Sequence, residues 1–139
     1  MSAFLDSSVL VAALVSDELK HADSLALVLK GGNCIYSHAL LETFSTLTGG
    51  KLGVRVTPDL ASRMISETII PRVTIIELTA AEIIDAISVA QSCGVRGGCV
   101  YDYMHLSAAR KSKASVIYTL NTADFQHLRG ADDPEIRLP

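Results

Sequence analysis

A chain of 139 residues is long enough for one domain with its own core, and its hydrophobic content of 49% suggests a deep core with an apolar face for a partner. A net charge of −3 argues against binding nucleic acid by bulk electrostatics, although a nuclease with acids in one cleft and basic residues around it shows the same balance. No apolar run could cross a bilayer, the first residues lack a signal-peptide pattern, and three cysteines without metal-site spacing indicate free thiols, so we expect a cytoplasmic protein with no membrane association.

Strands and helices alternate in the first half of the chain. The pattern predicts, in order, a strand over residues 2–6, a helix over 8–15, a helix over 17–30, a strand over 33–36 and a helix over 37–50. Ser16 and Asp17 can cap the second helix, and Gly31 with Gly32 can end it.

The second half continues the alternation. It predicts, in order, a helix over residues 58–70, a strand over 72–78, a helix over 80–94, a helix over 99–111, a strand over 115–120, a helix over 122–128 and an edge strand over 135–138. Two helices have clear start signals, Thr57 before Pro58 and Thr79 with Glu82 at capping-box spacing. The alternation indicates a single α/β domain over residues 1–139, with a parallel sheet of four to five short strands and helices on both faces.

Four acids occupy positions that a parallel sheet would bring together. Asp6 ends the first strand, and Glu42 lies in the first turns of the helix after the second strand. Asp102 is in the first turn of the helix before the last buried strand, and Asp124 follows that strand. Read singly, each could be a cap, a turn residue or a solvent-facing acid. Read together, they would crowd one cleft beyond the carboxyl ends of the strands.

Crowded carboxylates predict a cation. Like charges a few ångströms apart repel strongly where the dielectric constant is low, so a bound hard cation would relieve the cost. An all-oxygen site without paired His or Cys selects Mg²⁺ or Mn²⁺ over zinc.

Four segments resemble the motifs of PIN domains. They are FLDSSVL over residues 4–10, LLET over 40–43, VYDYMHLSAA over 100–109 and YTLNTADF over 118–125. The last two are the most specific, and the resemblance covers nearly the whole chain. In length the chain looks like the VapC toxins of VapBC (type II) toxin–antitoxin systems. The resemblance implies a PIN-like fold and hydrolysis of RNA phosphodiester bonds.

The resemblance also implies roles for the acids. Asp6, Glu42 and Asp102 would hold one Mg²⁺, directly or through water, and a second ion could bind Asp124 or Asn121. Many relatives have an acid where this chain has Asn121, which leaves open which of the two residues serves the second ion. Ser8 would hydrogen-bond a metal-bound water or a ligand carboxylate, or else cap the following helix.

Partners follow from the same resemblance. A VapB-like antitoxin would cover the active cleft with its C-terminal segment, and the helices over residues 16–30 and 38–50 are candidates for its groove. The apolar excess also fits a homodimer.

The remaining candidate residues can each be interpreted in two ways, as functional or as structural. The basic residues that could grip RNA phosphates, or form a solvated basic face, are Arg96, Arg110, Lys111 and Lys113. His105, three residues after Asp102, could face the same side or simply be packed. Tyr101 and Tyr103 could stack on bases or pack in the core.

Other assignments explain the sequence less well. A haloacid-dehalogenase-type phosphatase needs a second acid two residues after the first, where this chain has Ser8, and a receiver domain needs an early acidic pair. The remaining alternative is a catalytically weak PIN-like module that binds RNA or protein.

Overall fold

The described part of the chain folds into a five-stranded parallel sheet between two layers of helices. A computed structural model describes residues 2–50, 53 and 55–139. The strands are β1 (Phe4–Leu5), β2 (Asn33–Tyr36), β3 (Val73–Ile76), β4 (Val116–Tyr118) and β5 (Glu135–Arg137). The α-helices are α1 (Ser7–Leu14), α2 (His21–Lys30), α3 (His38–Gly49), α4 (Pro58–Met64), α5 (Ala80–Ser88), α6 (Val100–Ser112) and α7 (Thr122–Leu128). The predicted α/β sheet with helices on both faces is confirmed.

The strand order creates a switch point next to β1. The order is β3-β2-β1-β4-β5, so the chain moves outward from β1 on one side and returns to its other side with β4. In register, Leu5 lies opposite Ile35 on β2 and Tyr118 on β4. Ligands of open α/β sheets bind beyond the carboxyl ends of the strands at such a point, which here is the end of β1 and β4.

Each face of the sheet buries its own core. Successive side chains of a strand point to opposite faces, and Phe4 packs with Ile117 and Phe125 while Leu5 packs with Leu10 and Ile35. Helices α1, α2 and α3 contribute to the core that contains Leu5, and α6 and α7 to the core that contains Phe4. The two cores pack against both faces of the short strands and so fix the positions of the site residues that follow these strands.

Several predicted boundaries are wrong. Helix α2 begins at His21 rather than near residue 17, because residues 15–21 form two successive turns, with hydrogen bonds from Glu18 to Val15 and from His21 to Glu18. Helix α5 ends at Ser88 rather than at residue 94, and the chain then follows turns to Gly94, where φ is +70°. The strands are shorter than predicted at most ends.

The helix predicted over residues 58–70 changes character along its length. It is α-helical as far as Met64, continues as a π-helical turn over Ile65–Ile69 and ends in a 3₁₀ turn over Ile70–Arg72. Pro71 has no N–H to continue an α-helix, which fits the change of winding at this end.

The described part of the chain contains no helix that is both long and apolar enough to cross a membrane.

Candidate functional site

Asp6 is held at the end of β1 by a dense set of hydrogen bonds. It is the N-cap of α1, accepting from the backbone N–H groups of Ser8 and Val9 at 2.9 and 3.4 Å. The side chain is only 2% exposed. Burial raises the pKa of Asp6, against the opposing effects of hydrogen bonds from Ser8 and Thr119 and of the nearby His105. Asp6 therefore caps α1 and also lies at the edge of the sheet.

Two hydroxyl groups connect Asp6 to the segment after β4. Thr119 Oγ1 donates to Asp6 Oδ2 at 2.8 Å and accepts from the N–H of Asn121 at 2.9 Å. Ser8 Oγ donates to Asp6 Oδ1 and accepts from the N–H of Leu120 at 2.9 Å. Ser8 thus bonds a carboxylate of the acidic group, one of the two roles expected for it. The four contacts tie the carboxyl ends of β1 and β4 together at the switch point.

Glu42 lies on the second turn of α3 and bonds a histidine from α6. Its Oε1 and His105 Nε2 are 2.5 Å apart, with the glutamate side chain 28% exposed and the histidine 1% exposed. Glu42 also lines a surface depression of about 470 Å³ together with His38, Leu41 and Tyr101. One side of this glutamate therefore faces the protein and the other faces solvent.

The pKa of Asp102 is also raised above its ordinary value. Burial is the largest cause, and the negative charges of the other three acids add to it while His105 opposes it; together they raise the pKa of Asp102 to about 6. The three acids are Asp6, Asp124 and Glu42. Four carboxylates from β1, α3, α6 and α7 thus lie within range of one another's charge.

The fourth acid and its neighbouring amide occupy different surfaces. Asp124 and Asp102 line one depression of about 350 Å³ with Gly98 and Cys99. Asn121 lines another, of about 280 Å³, with Ser8. Geometry therefore associates Asp124, rather than Asn121, with Asp102.

The four acids lie near one another, but their side chains are not arranged around a common metal position. Within residues 2–50, 53 and 55–139, no three His, Cys, Asp or Glu side chains stand in an arrangement that could hold a metal ion. Asp6 is turned to Ser8 and Thr119, and Glu42 to His105. The donor set still suits a hard cation, because it consists of carboxylate oxygens whose mutual repulsion is visible in the raised pKa of Asp102.

Two of the predicted basic residues form ion pairs with acids outside the group. Arg110 makes a bidentate pair with Asp133, and Lys111 pairs with Glu82. Both lie about 12 Å or more along α6 from Asp102, at 1.5 Å per residue. Arg96 lines a separate depression, and Lys113 is the exposed left-handed cap that ends α6.

The two candidate tyrosines differ in their exposure to solvent. Tyr103 is 2% exposed and donates its hydroxyl to the carbonyl of Ala86, so it is a core residue. Tyr101 is 53% exposed and lies parallel to the ring of His38, with the centroids 5.5 Å apart and an angle of 4° between the planes. An open, flat aromatic surface therefore borders Glu42.

Sequence reasoning missed Thr119 and left His105 undecided. Thr119 lies inside the closing motif, and its position between a buried strand and Asn121 was the available signal. His105 is packed, and it also bonds Glu42, a contact that its helical spacing from Asp102 did not predict.

The PIN domain family model matches residues 3–131. No curated protein matches the sequence. Among solved structures, the toxin VapC20 of Mycobacterium tuberculosis, described as cleaving the sarcin–ricin loop, is similar with a TM-score of 0.72, 17% identity and coverage of 96% of this chain and 100% of that one. VapBC2 of Rickettsia felis, solved with a promoter DNA fragment, has a TM-score of 0.66, 18% identity and coverage of 99% and 98%. A toxin–antitoxin complex of Klebsiella pneumoniae has a TM-score of 0.64, 22% identity and the same coverage of 99% and 98%.

At these identities the structural likeness establishes the fold, while the family model spans almost the whole chain and includes Asp6, Glu42, Asp102 and Asp124. The chain belongs to the PIN domain family.

Proposed function

We propose that this protein is a Mg²⁺- or Mn²⁺-dependent endoribonuclease. The observation that carries the proposal is the convergence of Asp6, Glu42, Asp102 and Asp124, from four different elements, on the edge of the sheet beside its switch point. Burial and mutual repulsion disfavour the charged form of Asp102, which is a cost to the fold without a compensating cation. A cluster that costs stability at such an edge is typical of a functional site.

The donor chemistry assigns roles to the acids. Asp6, Glu42 and Asp102 would hold a first ion, directly or through water, and Asp124 a second. Asp124 is favoured over Asn121 because it shares a depression with Asp102. When bound, such ions polarise a phosphate group and lower the pKa of an attacking water.

The other groups act by positioning. Ser8 and Thr119 each donate to one oxygen of Asp6, so the carboxylate cannot rotate freely. Both hydroxyls also accept backbone N–H groups of the segment after β4, which fixes that segment relative to Asp6. The exposed ring of Tyr101 beside Glu42 is a suitable surface on which a base of single-stranded RNA could stack.

Cleavage of an end-labelled RNA tests the proposal. We expect cuts by the wild-type chain with Mg²⁺, none with EDTA, and none by Asp6→Asn with Mg²⁺. Asp17→Asn, which removes an exposed acid outside the group, is the matched control and should cut normally. Unchanged cleavage in EDTA would refute the metal mechanism.

A catalytically weak module that binds RNA or protein is the second candidate. The observation in its favour is that no three ligand side chains in the described ranges already stand around a common point. The same assay separates the two functions, since a binding module would retain RNA with and without Mg²⁺ and leave it intact.

We further propose that the protein is the toxin of a VapBC-like pair, restrained by a VapB-like antitoxin. The support is the similarity in fold to structures described as VapBC or toxin–antitoxin complexes. Leu29 on α2 and Leu41 on α3 are 53% and 65% exposed, which suits an apolar antitoxin segment on the helices expected to form the groove. Growth arrest on expression of the chain, absent for Asp102→Asn, would support the toxin role, whereas unaffected growth would contradict it.

A homodimer is the proposed state of the free protein. Exposed apolar side chains on α5, Ile84 at 60% and Ile87 at 41%, add to the surface available for it. Light scattering after size exclusion should give twice the monomer mass of 14.8 kDa. A monomer at high concentration would exclude the dimer.

A further inference from the structure

His105 is a polar side chain in an apolar setting. It is 1% exposed, with its ring edge-on to Phe4 and Tyr36 at centroid distances of 6.3 and 5.5 Å. Its Nδ1 atom is buried and has no hydrogen-bond partner among the residues that the structure describes. Burying an imidazole with one unpaired nitrogen costs free energy that an apolar side chain of similar size would not cost. Packing alone therefore does not explain a histidine here.

The ring of His105 forms a hydrogen bond with Glu42 through Nε2. The carboxylate Oε1 is 2.5 Å from Nε2, across 63 residues of sequence. A carboxylate accepts, so Nε2 carries the proton and donates it. The bond joins the first turns of α6, where Asp102 lies, to the second turn of α3. The contact thus ties Glu42 to the helix that carries Asp102, through a side chain that is almost fully buried.

The bond fixes Glu42 in one orientation. A free glutamate on a helix surface samples several rotamers, and fixing it when an ion binds would cost entropy. With Oε1 bonded to His105, the carboxylate is already ordered and its second oxygen, Oε2, stays available. Outer partners of this kind commonly orient metal ligands, and their loss weakens metal affinity.

We propose that His105 is a positioning residue that orders Glu42 for metal binding, through the Nε2–H bond to Oε1. This inference rests on the proposed function, since it requires an ion at the acidic group. It assigns the histidine no contact with substrate and no proton transfer.

Binding of Mn²⁺ to the full-length chain, followed by the electron paramagnetic resonance signal of the free ion and without RNA, tests the proposal. His105→Gln keeps an amide donor near the position of Nε2, whereas His105→Leu keeps the volume and removes the donor. We expect His105→Leu to bind Mn²⁺ about 10–100-fold more weakly than wild type. His105→Gln should stay within about threefold of wild type, because its amide replaces the lost donor.

The outcomes separate this inference from the proposed function. If wild type binds Mn²⁺ and His105→Leu binds it equally well, the positioning role is refuted while the metal site stands. If wild type binds no Mn²⁺ at all, the proposed metal-dependent function is refuted, and the positioning role of His105 with it. A purely structural role would lower the melting temperature of His105→Leu without changing the Mn²⁺ affinity of the folded protein.

A second pair of variants covers the case in which His105→Leu does not fold. His105→Asn places its amide near Nδ1, too short to reach Glu42, and is compared with His105→Gln. Weaker Mn²⁺ binding by the Asn variant alone supports the proposal, and equal binding by both contradicts it.

Discussion

Replacing Asp102 by Asn should stabilise the metal-free protein. Burial and the neighbouring acids raise the pKa of Asp102 from an ordinary 3.8 to about 6. At 1.36 kcal/mol per pH unit, this difference corresponds to about 3 kcal/mol at pH 7. Asp102 is only partly buried, so solvent screening reduces the value, and we expect a gain of about 1–2 kcal/mol in the free energy of unfolding. The melting temperature should rise by about 3–8 °C.

The stability gained by Asp102→Asn should increase as pH rises. Because the pKa of Asp102 is higher in the folded than in the unfolded state, the folded protein binds the proton more tightly between pH 3.8 and about 6. The wild type therefore loses stability relative to Asp102→Asn as pH rises through that window. Below pH 3.8 the carboxyl is protonated in both states and the difference should nearly vanish.

Urea unfolding in EDTA at several pH values measures the effect. Asp17→Asn, an exposed acid, is the control and should stay within about 0.5 kcal/mol of wild type at every pH. Adding Mg²⁺ should stabilise the wild type and narrow or reverse the gap, because binding to the folded state alone adds stability. If Asp102→Asn is less stable than wild type in EDTA at pH 7, the carboxylates do not repel one another as argued.

Three further predictions concern neighbouring groups. Thr119→Val should cost about 1–3 kcal/mol in urea unfolding, because it removes a buried hydroxyl that donates to Asp6, and an unchanged midpoint would contradict this. Tyr101→Ala should weaken binding of a labelled single-stranded RNA in EDTA by about 5- to 100-fold while Tyr101→Phe keeps it, and equal affinities of the two variants would exclude stacking. Burial alone would raise the pKa of Asp133, but hydrogen bonds from Arg110 and Gly130 outweigh it and lower that pKa. The resulting stability is present above pH 3.8 and lost as pH falls below it, so Asp133→Asn should lower the urea midpoint at pH 7 and differ little from wild type near pH 2; a gap independent of pH would refute this.

Local signals in the sequence predicted much of the fold. The capping box of Thr79 and Glu82 and the cap at Thr57 form as expected, because such contacts span only three residues. Helix ends without such signals were misplaced. Helix α2 starts only after two turns over residues 15–21, which the capping residues Ser16 and Asp17 do not distinguish from a helix start.

Three of the acids were recognisable because they follow a strand, and Asp102 because it opens a helix, but the partners of the acids were not. Thr119 is 113 residues from Asp6, and His105 is 63 residues from Glu42. Such pairs depend on strand order, and the position of β4 beside β1 is a property of the whole sheet. The ion pair between Arg110 and Asp133 is likewise a tertiary contact. It occupies a guanidinium group that the sequence made a candidate for phosphate binding.

Anomalous diffraction from crystals of the full chain soaked in Mn²⁺ would locate the ion relative to the four acids. We expect a strong peak bound by carboxylate oxygens of Asp6, Glu42 and Asp102, directly or through water. A second, weaker peak near Asp124 would fit the two-ion arrangement. Mn²⁺ bound only elsewhere on the surface, with the four acids unchanged at saturating concentration, would contradict the account.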